Sequence, residues 1–135
     1  MEVSQPAHQL VEPGRILVVE DDLASQLLAT VILELDGYEV EVANTAAQAS
    51  RLIAEHRPDL ILMDVQLPGE DGLSLTGRLK ADPLTASIPI VAVTALAMSG
   101  DLERTIAAGC DAYVVKPIDT KTFAGDLRRL LRATG

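Results

Sequence analysis

Five short apolar runs alternate with segments of helical periodicity, and this alternation restricts the folds open to the chain. The runs lie at Arg15–Val19, Glu39–Ala43, Leu60–Met63, Pro89–Val93 and Ala112–Val115. Several are apolar at nearly every position, as strands are when helices cover both faces of a sheet. Parallel strands need crossover connections, which are right-handed. We therefore predict an α/β fold with a doubly wound, five-stranded parallel sheet and five helices.

The first two intervening segments carry helix start and stop signals. The first begins after Asp22, a good N-cap, and stops at Gly37. The second has a capping box, Thr45 with Gln48 three residues on, and breaks before Pro58. The apolar residues of the first helix are Leu23, Leu27, Leu28, Val31 and Leu35.

The three remaining helices follow the same logic. One is predicted from Gly72 to Ala81 and another from Ser99 to Ala108, ending at Gly109. The last is predicted from Asp119. It has an amphipathic stripe at helical spacing, formed by Phe123, Leu127, Leu130 and Leu131.

Length and composition predict one domain. A chain of 135 residues has the commonest size for a single domain. We predict a disordered leader at 1–13, the domain at 14–132 and a short tail at 133–135. Neither a membrane span nor a secretory signal is visible, which predicts a cytoplasmic protein that does not enter the membrane. A start at Met and an end soon after the fifth helix predict no separate output domain.

The net charge of the chain limits the kinds of partner that it can bind. A net charge of −9 argues against nucleic acid, because binding to phosphate backbones depends on clustered Lys and Arg. A protein or a small cation is the expected partner instead. The single cysteine, Cys110, cannot form an internal disulfide and is predicted to be a buried thiol.

Polar residues follow the predicted strands, where ligands of such sheets bind. Glu20 and Asp21 follow the first strand, and Asp64 follows the third. If the strand order is 2-1-3-4-5, strands one and three are neighbours and the three carboxylates share one cleft. A hard cation such as Mg²⁺ offsets their repulsion and can also hold a phosphate oxygen. Each acid alone could equally be a solvated loop residue, so it is their joint placement that favours a metal site.

A hydroxyl and a cation lie at the same predicted edge. Thr94 follows the fourth strand and can donate a hydrogen bond, and Lys116 follows the fifth and supplies an ammonium group. With Mg²⁺ they could hold a phosphoryl group, and an Asp carboxylate can attack phosphorus. Asp64 is the predicted acceptor because it closes the most apolar strand and precedes a tight loop, VQLPGEDG.

Four segments, in order, resemble the signature segments of response regulator receiver domains: ILVVEDD, DLILMDVQLPGEDG, IPIVAVTA and AGCDAYVVKP. The resemblance covers residues 14 to 132 and implies a flavodoxin-like (CheY-like) fold with strand order 2-1-3-4-5. The stretch TALAMSGDLERTIAAGCDAYVVKPI further resembles single-domain regulators of the DivK type, and also receivers attached to hybrid histidine kinases. The DivK type is the favoured interpretation, and an excised kinase receiver is the alternative.

The resemblance implies a role for each site residue. Asp64 would be phosphorylated, with Asp21 binding Mg²⁺ directly, Glu20 acting through a metal-bound water and Gln66 offering its backbone carbonyl. Thr94 and Lys116 would contact the phosphoryl group, with Thr94 also part of the switch. Tyr113 would occupy the aromatic switch position, although an aromatic on the last strand could simply fill the core. The Lys116–Pro117 bond is expected to be cis.

The family also implies partners. A histidine kinase or histidine phosphotransfer protein would donate the phosphoryl group, docking beside the first helix near Leu23, Ala24 and Leu27. A downstream effector would bind the face formed by helix 4, strand 5 and helix 5. The expected chemistry is self-phosphorylation and autodephosphorylation, not turnover of a substrate.

Three other functions compete with this interpretation. A Mg²⁺-dependent phosphatase of the haloacid dehalogenase type would need a D-x-D motif, but the residue two past Asp64 is Gln66. A nucleotide- or flavin-binding protein would need a first loop rich in Gly, Ser or Thr, but this loop holds Glu20, Asp21 and Asp22. A receiver that folds without being phosphorylated would not need the full set of site residues.

Overall fold

A computed structural model describes residues 14–67, 70–95 and 99–134, which form a five-stranded parallel sheet in the order β2-β1-β3-β4-β5. The strands are β1 (Arg15–Val19), β2 (Glu39–Ala43), β3 (Leu60–Asp64), β4 (Ile90–Thr94) and β5 (Ala112–Val115). The helices are α1 (Leu23–Leu35), α2 (Ala46–Glu55), α3 (Gly72–Ala81), α4 (Ser99–Ala108) and α5 (Phe123–Thr134). The predicted fold and strand order are confirmed. The predicted leader and Gly135 lie outside the described residues, and α5 extends into the predicted tail as far as Thr134.

Most element boundaries follow from local chemistry. The Asp22 carboxylate accepts from the Ser25 N–H at 2.9 Å, which caps α1 as predicted. The Thr45 hydroxyl caps α2 through the Gln48 N–H, but the Gln48 side chain accepts from the Asn44 N–H and not from the N-cap residue itself. The second hydrogen bond of the capping box is therefore made with Asn44, one residue before the N-cap Thr45.

Several boundaries differ from the sequence prediction, and β3 and β4 each extend one residue further, to Asp64 and Thr94. β4 begins at Ile90 and not at Pro89, because proline has no N–H to donate to the sheet. α5 begins at Phe123 and not at Asp119. Asp119 caps a turn first, since its carboxylate accepts from the Lys121 N–H at 2.9 Å and its carbonyl accepts from the Phe123 N–H at 3.0 Å. The helix starts where Phe123 reaches the core.

The core consists of two apolar layers, one on each face of the sheet. On one face α2 and α3 pack on the strands, with Ile53 and Leu75 among the buried contacts. On the other face α1 and α5 share a layer in which Leu33 packs with Phe123 and Leu127. α4 contacts α3 and β5. The strands β3 and β4 are buried along their whole length, which explains their nearly unbroken apolar sequences.

The apolar residues of α1 that the sequence analysis singled out do not face the sheet. Ala29 and Leu33 make the buried face, whereas Leu23 and Leu35 are 66% and 84% exposed. Leu27, Leu28 and Val31 are also exposed. The helix thus has two apolar faces, and the one with more leucines is directed outward. None of the helices in the described part of the chain has both the length and the hydropathy needed to span a bilayer.

Candidate functional site

Three carboxylates meet at the carboxyl ends of β1 and β3. Because β1 and β3 are hydrogen-bonded neighbours, with Val19 opposite Met63, the residues that follow them lie side by side. One oxygen from each of Glu20, Asp21 and Asp64 lies within 4.8 Å of the others. Glu20 and Asp64 are buried and Asp21 is exposed. The structure therefore brings together the three acids that the sequence analysis placed in one cleft.

Asp64 is the last residue of β3, and its side chain is 7% exposed. The pKa of its carboxyl is raised from 3.8 to about 6, mainly because the group is buried and in part because Glu20 lies close to it. The Gln66 N–H, which donates to Oδ1 at 2.9 Å, and the charge of Lys116 act in the opposite direction. The carboxylate is therefore ionised at neutral pH but destabilised relative to an exposed aspartate.

Gly72 keeps the β3–α3 connection close to Asp64. A Cβ at position 72 would lie 2.1 Å from the Asp64 carbonyl oxygen, which is well inside van der Waals contact. The Gly72 N–H also donates to the Val65 carbonyl at 3.3 Å. Only glycine allows α3 to begin against the backbone of the strand that carries Asp64.

Lys116 supplies the positive charge of the cleft. Its Nζ lies 3.0 Å from Glu20 Oε1 and 3.6 Å from Asp64 Oδ2. Burial lowers the pKa of Lys116, but the bond to Glu20 and the charge of Asp64 outweigh that effect and raise it overall. The Lys116–Pro117 peptide is cis, as the resemblance implied. Lys116 is thus an ammonium group held between two buried carboxylates.

The other predicted site residues occupy different positions relative to the cleft. Thr94 ends β4 and is buried, one residue beyond the Val93 that pairs with Asp64. Gln66 is exposed, and its N–H is bonded to Asp64. Tyr113 pairs with Ala92 on the edge strand β5 and is 43% exposed, so it does not fill the core. Cys110 is only partly buried, at the edge of one core layer.

The donor set fits a hard divalent cation. Three carboxylates and one ammonium leave an excess of negative charge in a cleft where two of the acids are buried. Oxygen ligands, part of them open to water, suit Mg²⁺, which retains several waters when it binds proteins. Asp21 is the exposed acid and so the one most accessible to an arriving ion.

The sequence analysis missed three contributors to this site. The backbone N–H of Asp22 donates to Glu20 Oε2 at 3.1 Å. Gly72 provides the close approach described above. The amide of Gln26 donates to the Glu20 carbonyl at 2.6 Å. The adjacent Asp71 and Gly72 at the start of α3 were a sequence signal for the close approach of Gly72. No local pattern distinguishes Gln26 from a solvated helix residue.

The raised pKa of Asp64 predicts how stability depends on pH in metal-free protein. The folded state binds this proton more tightly than the unfolded chain, so the contribution of Asp64 is fully present below pH 4 and is lost as pH rises through about 6. The free energy of unfolding that Asp64 contributes should fall by at most about 3 kcal/mol over this pH range. Urea unfolding in EDTA between pH 4.5 and 7.5 should show this slope in wild type and a smaller one in Asp64→Asn. Equal pH dependence of the free energy of unfolding in the two proteins would contradict a raised pKa at Asp64.

Comparisons with known proteins agree on one family. The model of the response regulator receiver domain matches residues 16–128. The polar-differentiation response regulator DivK of Brucella anthropi is 43% identical over 119 residues, covering 88% of this chain and 97% of the relative.

Two solved structures show the same fold. A CheY-like receiver domain protein from Methanospirillum hungatei JF-1 has a TM-score of 0.82 at 31% identity, covering 90% of this chain and 95% of the other. The receiver domain of a sensor histidine kinase from Pseudomonas aeruginosa PAO1, with a magnesium ion coordinated in its active site cleft, has a TM-score of 0.77 at 36% identity, covering 89% and 95%. The family match over most of the chain supports a receiver domain over the dehalogenase-type phosphatase. The chain belongs to the response regulator receiver family and is DivK-like.

Proposed function

We propose that this receiver accepts a phosphoryl group on Asp64 in a Mg²⁺-dependent reaction and that phosphorylation changes which partner it binds. The observation that carries the proposal is the convergence of Glu20, Asp21 and Asp64 within 4.8 Å, with Lys116 Nζ beside two of them. Solvated acids would not need a partly buried lysine beside them at the strand ends. Phosphoryl transfer needs mainly such positioning and charge stabilisation.

Each residue has a distinct task in this reaction. An oxygen of Asp64 attacks the phosphorus, and the bond from phosphorus to the donor breaks, so that acetyl phosphate leaves acetate and a phosphohistidine leaves histidine. Lys116 and the Thr94 hydroxyl stabilise the charge on the phosphoryl oxygens. Glu20, Asp21 and the carbonyl of Gln66 would hold Mg²⁺, which when bound neutralises the acids and a phosphoryl oxygen. We expect autodephosphorylation to be the only further chemistry.

Intact mass spectrometry after incubation with acetyl phosphate and Mg²⁺ tests the proposal directly. One added phosphoryl group, absent when EDTA replaces Mg²⁺, is the expected result. An unchanged mass under conditions that label another receiver would contradict it. A cytoplasmic location stays a prediction, to be checked by cell fractionation.

The proposed phosphodonor is a histidine kinase or a histidine phosphotransfer protein, docking on α1 beside the cleft. Leu23 and Leu27 are exposed at the end of α1 that lies near Glu20 and Asp21. A cavity of about 340 Å³ separates this end of α1 from the segment after β5. Its lining residues are Ala24, Ser25, Leu28, Lys116, Pro117 and Ile118. An apolar surface of this kind beside the reacting aspartate suits the side of a donor helix.

A charge on that surface should weaken docking without affecting the chemistry. We expect Leu27→Asp to lower the rate of phosphotransfer from the cognate kinase at least about tenfold, because it places a desolvated charge in the interface. Labelling by acetyl phosphate should be unchanged. Leu84→Asp is the matched control, since Leu84 is also exposed but lies in the loop before β4. Wild-type transfer to the Leu27→Asp protein would refute the docking surface.

The proposed effector surface is formed by α4, β5 and α5. Ile106 on α4 and Tyr113 and Val115 on the edge strand β5 are exposed there. We propose that Thr94 moves toward the phosphoryl group and that Tyr113 then turns inward, so that the new charge on Asp64 shifts the population between two packings.

Beryllofluoride, a phosphoryl mimic, tests this coupling. We expect amide shift changes to extend from Asp64 through β4 to Tyr113 and α4. A Thr94→Ala protein should still bind the mimic but lose the changes around Tyr113. Changes confined to the residues around Asp64 in wild type would count against the switch.

A further inference from the structure

Gln26 holds the loop that carries the first two acids of the cleft. Its Nε2 donates to the Glu20 carbonyl oxygen at 2.6 Å and also to the side-chain oxygen of Asn44. Gln26 lies in the first turns of α1, whereas Asn44 lies in the loop after β2. One amide group therefore ties together three segments of the chain: the end of β1, the helix α1 and the β2–α2 loop.

The carbonyl that Gln26 binds has a special position. It belongs to the peptide group that joins Glu20 to Asp21, so its orientation sets the directions in which both side chains leave the backbone. The Glu20 N–H is already fixed by the Ala43 carbonyl at 2.9 Å. Gln26 supplies a bond on the far side of the same residue, which limits rotation of the Glu20–Asp21 peptide plane.

Asn44, which accepts a hydrogen bond from Gln26, is itself held by a side chain of α2. The Asn44 N–H donates to Gln48 Oε1 at 2.8 Å, so a side chain of α2 holds the backbone of Asn44. Because Asn44 presents its side-chain oxygen to Gln26, it selects the orientation in which Nε2, and not the Gln26 oxygen, faces Glu20. The polar chain from Gln48 to Glu20 thus links α2 to the acidic cleft.

We propose that Gln26 is a positioning residue for divalent-cation binding, acting through the Glu20–Asp21 peptide and supported by Asn44. This inference rests on the proposed function, since it requires that Glu20 and Asp21 bind a metal. Residues that orient metal ligands without touching the ion commonly contribute about ten- to a hundredfold to affinity. Gln26 acts on the backbone and not on a carboxylate, so we expect the lower end of that range.

Mg²⁺ titration by calorimetry tests the proposal in the full chain. We expect Gln26→Leu to raise the Mg²⁺ dissociation constant about tenfold, with a metal-free melting temperature close to that of wild type. Gln26→Glu has the same shape but cannot donate, so it should show at least the same loss. Asn44→Ala should show a smaller loss of about threefold, because the bond to Glu20 can still form. Thr30→Val, on the same helix, is the control and should bind Mg²⁺ as wild type does.

A second measurement needs no metal. The Asp21 amide nitrogen belongs to the peptide that Gln26 holds, so in metal-free Gln26→Leu its ¹⁵N resonance should shift more than those of residues in α2. If Gln26→Leu proves unstable, Gln26→Glu and Asn44→Ala carry both measurements.

The outcomes separate this inference from the proposed function. Normal Mg²⁺ binding by wild type together with unchanged affinity in Gln26→Leu would overturn the role of Gln26 alone, as would an unshifted Asp21 amide. Equal losses in Gln26→Leu and Thr30→Val would overturn it too. A wild-type protein that shows no saturable Mg²⁺ binding would overturn the proposed function and with it the metal role of Gln26.

Discussion

Asp64→Asn should reduce phosphorylation by acetyl phosphate to background while leaving the fold intact. An amide has nearly the shape of a carboxylate, so the Gln66 N–H, bonded to Oδ1 at 2.9 Å, keeps an acceptor. The amide is a poor nucleophile toward phosphorus. We expect no added mass under conditions that label wild type completely.

The same substitution should stabilise the metal-free protein at neutral pH. Asp64 is buried, and its pKa of about 6 means that ionisation at pH 7.5 costs folding free energy. Removing the charge should therefore raise the free energy of unfolding in EDTA by about 1–2 kcal/mol. A gain in the free energy of unfolding distinguishes an aspartate whose buried charge destabilises the fold from one whose charge supports it.

A control lies at the other end of the same strand. Asp59 precedes β3, is exposed and accepts from the Arg15 N–H at 2.8 Å, a bond that asparagine can also make. Asp59→Asn should be labelled like wild type and should not gain stability. Full labelling of Asp64→Asn, or loss of labelling in both variants, would refute Asp64 as the acceptor.

Asp21→Asn should remove most of the stabilisation that Mg²⁺ gives the wild-type protein. Mg²⁺ binds the folded state, so at a hundredfold excess over its dissociation constant it should contribute about 2.7 kcal/mol. If the loss of a direct ligand weakens binding about a hundredfold, the contribution at the same concentration falls to about 0.4 kcal/mol. Thermal unfolding followed by circular dichroism, with and without Mg²⁺, measures both values.

The metal-free stability of Asp21→Asn should change little. Asp21 is exposed, so water screens its charge, and Lys116 already offsets the repulsion by pairing with Glu20 at 3.0 Å. Asp22→Asn is a matched control, because asparagine is an equally good N-cap for α1 and should leave the Mg²⁺ increment intact. Retention of the increment in Asp21→Asn, or its loss in Asp22→Asn, would contradict the proposed ligand set.

Much of the fold could be predicted from the sequence because its signals are local. The apolar runs of β3 and β4 indicated buried parallel strands, and Asp22 and Thr45 marked the starts of α1 and α2. The start of α5 was predicted four residues too early. A capping residue such as Asp119 can close a turn as well as open a helix, and here the helix begins at Phe123, which is buried in the core.

The orientation of α1 shows what the sequence could not decide. The helix has leucines on two faces, and periodicity alone does not say which face meets the sheet. Packing selected the face with Ala29 and Leu33, which fits close against the strands. The acids of the cleft could be predicted because they follow strands directly. Gln26 could not, since its partners come from another loop and from a backbone carbonyl.

The entry point of the chain into the sheet has a practical consequence. Gly14, whose carbonyl accepts from the Glu39 N–H, lies at the amino end of β1, and the acids lie at the carboxyl end. A strand of five residues spans about 17 Å. An affinity tag or a fluorophore attached upstream of Gly14 therefore joins the folded sheet at the edge facing away from Asp64. Immobilising the protein on a biosensor chip through that end therefore attaches it at the end of β1 opposite to the cleft.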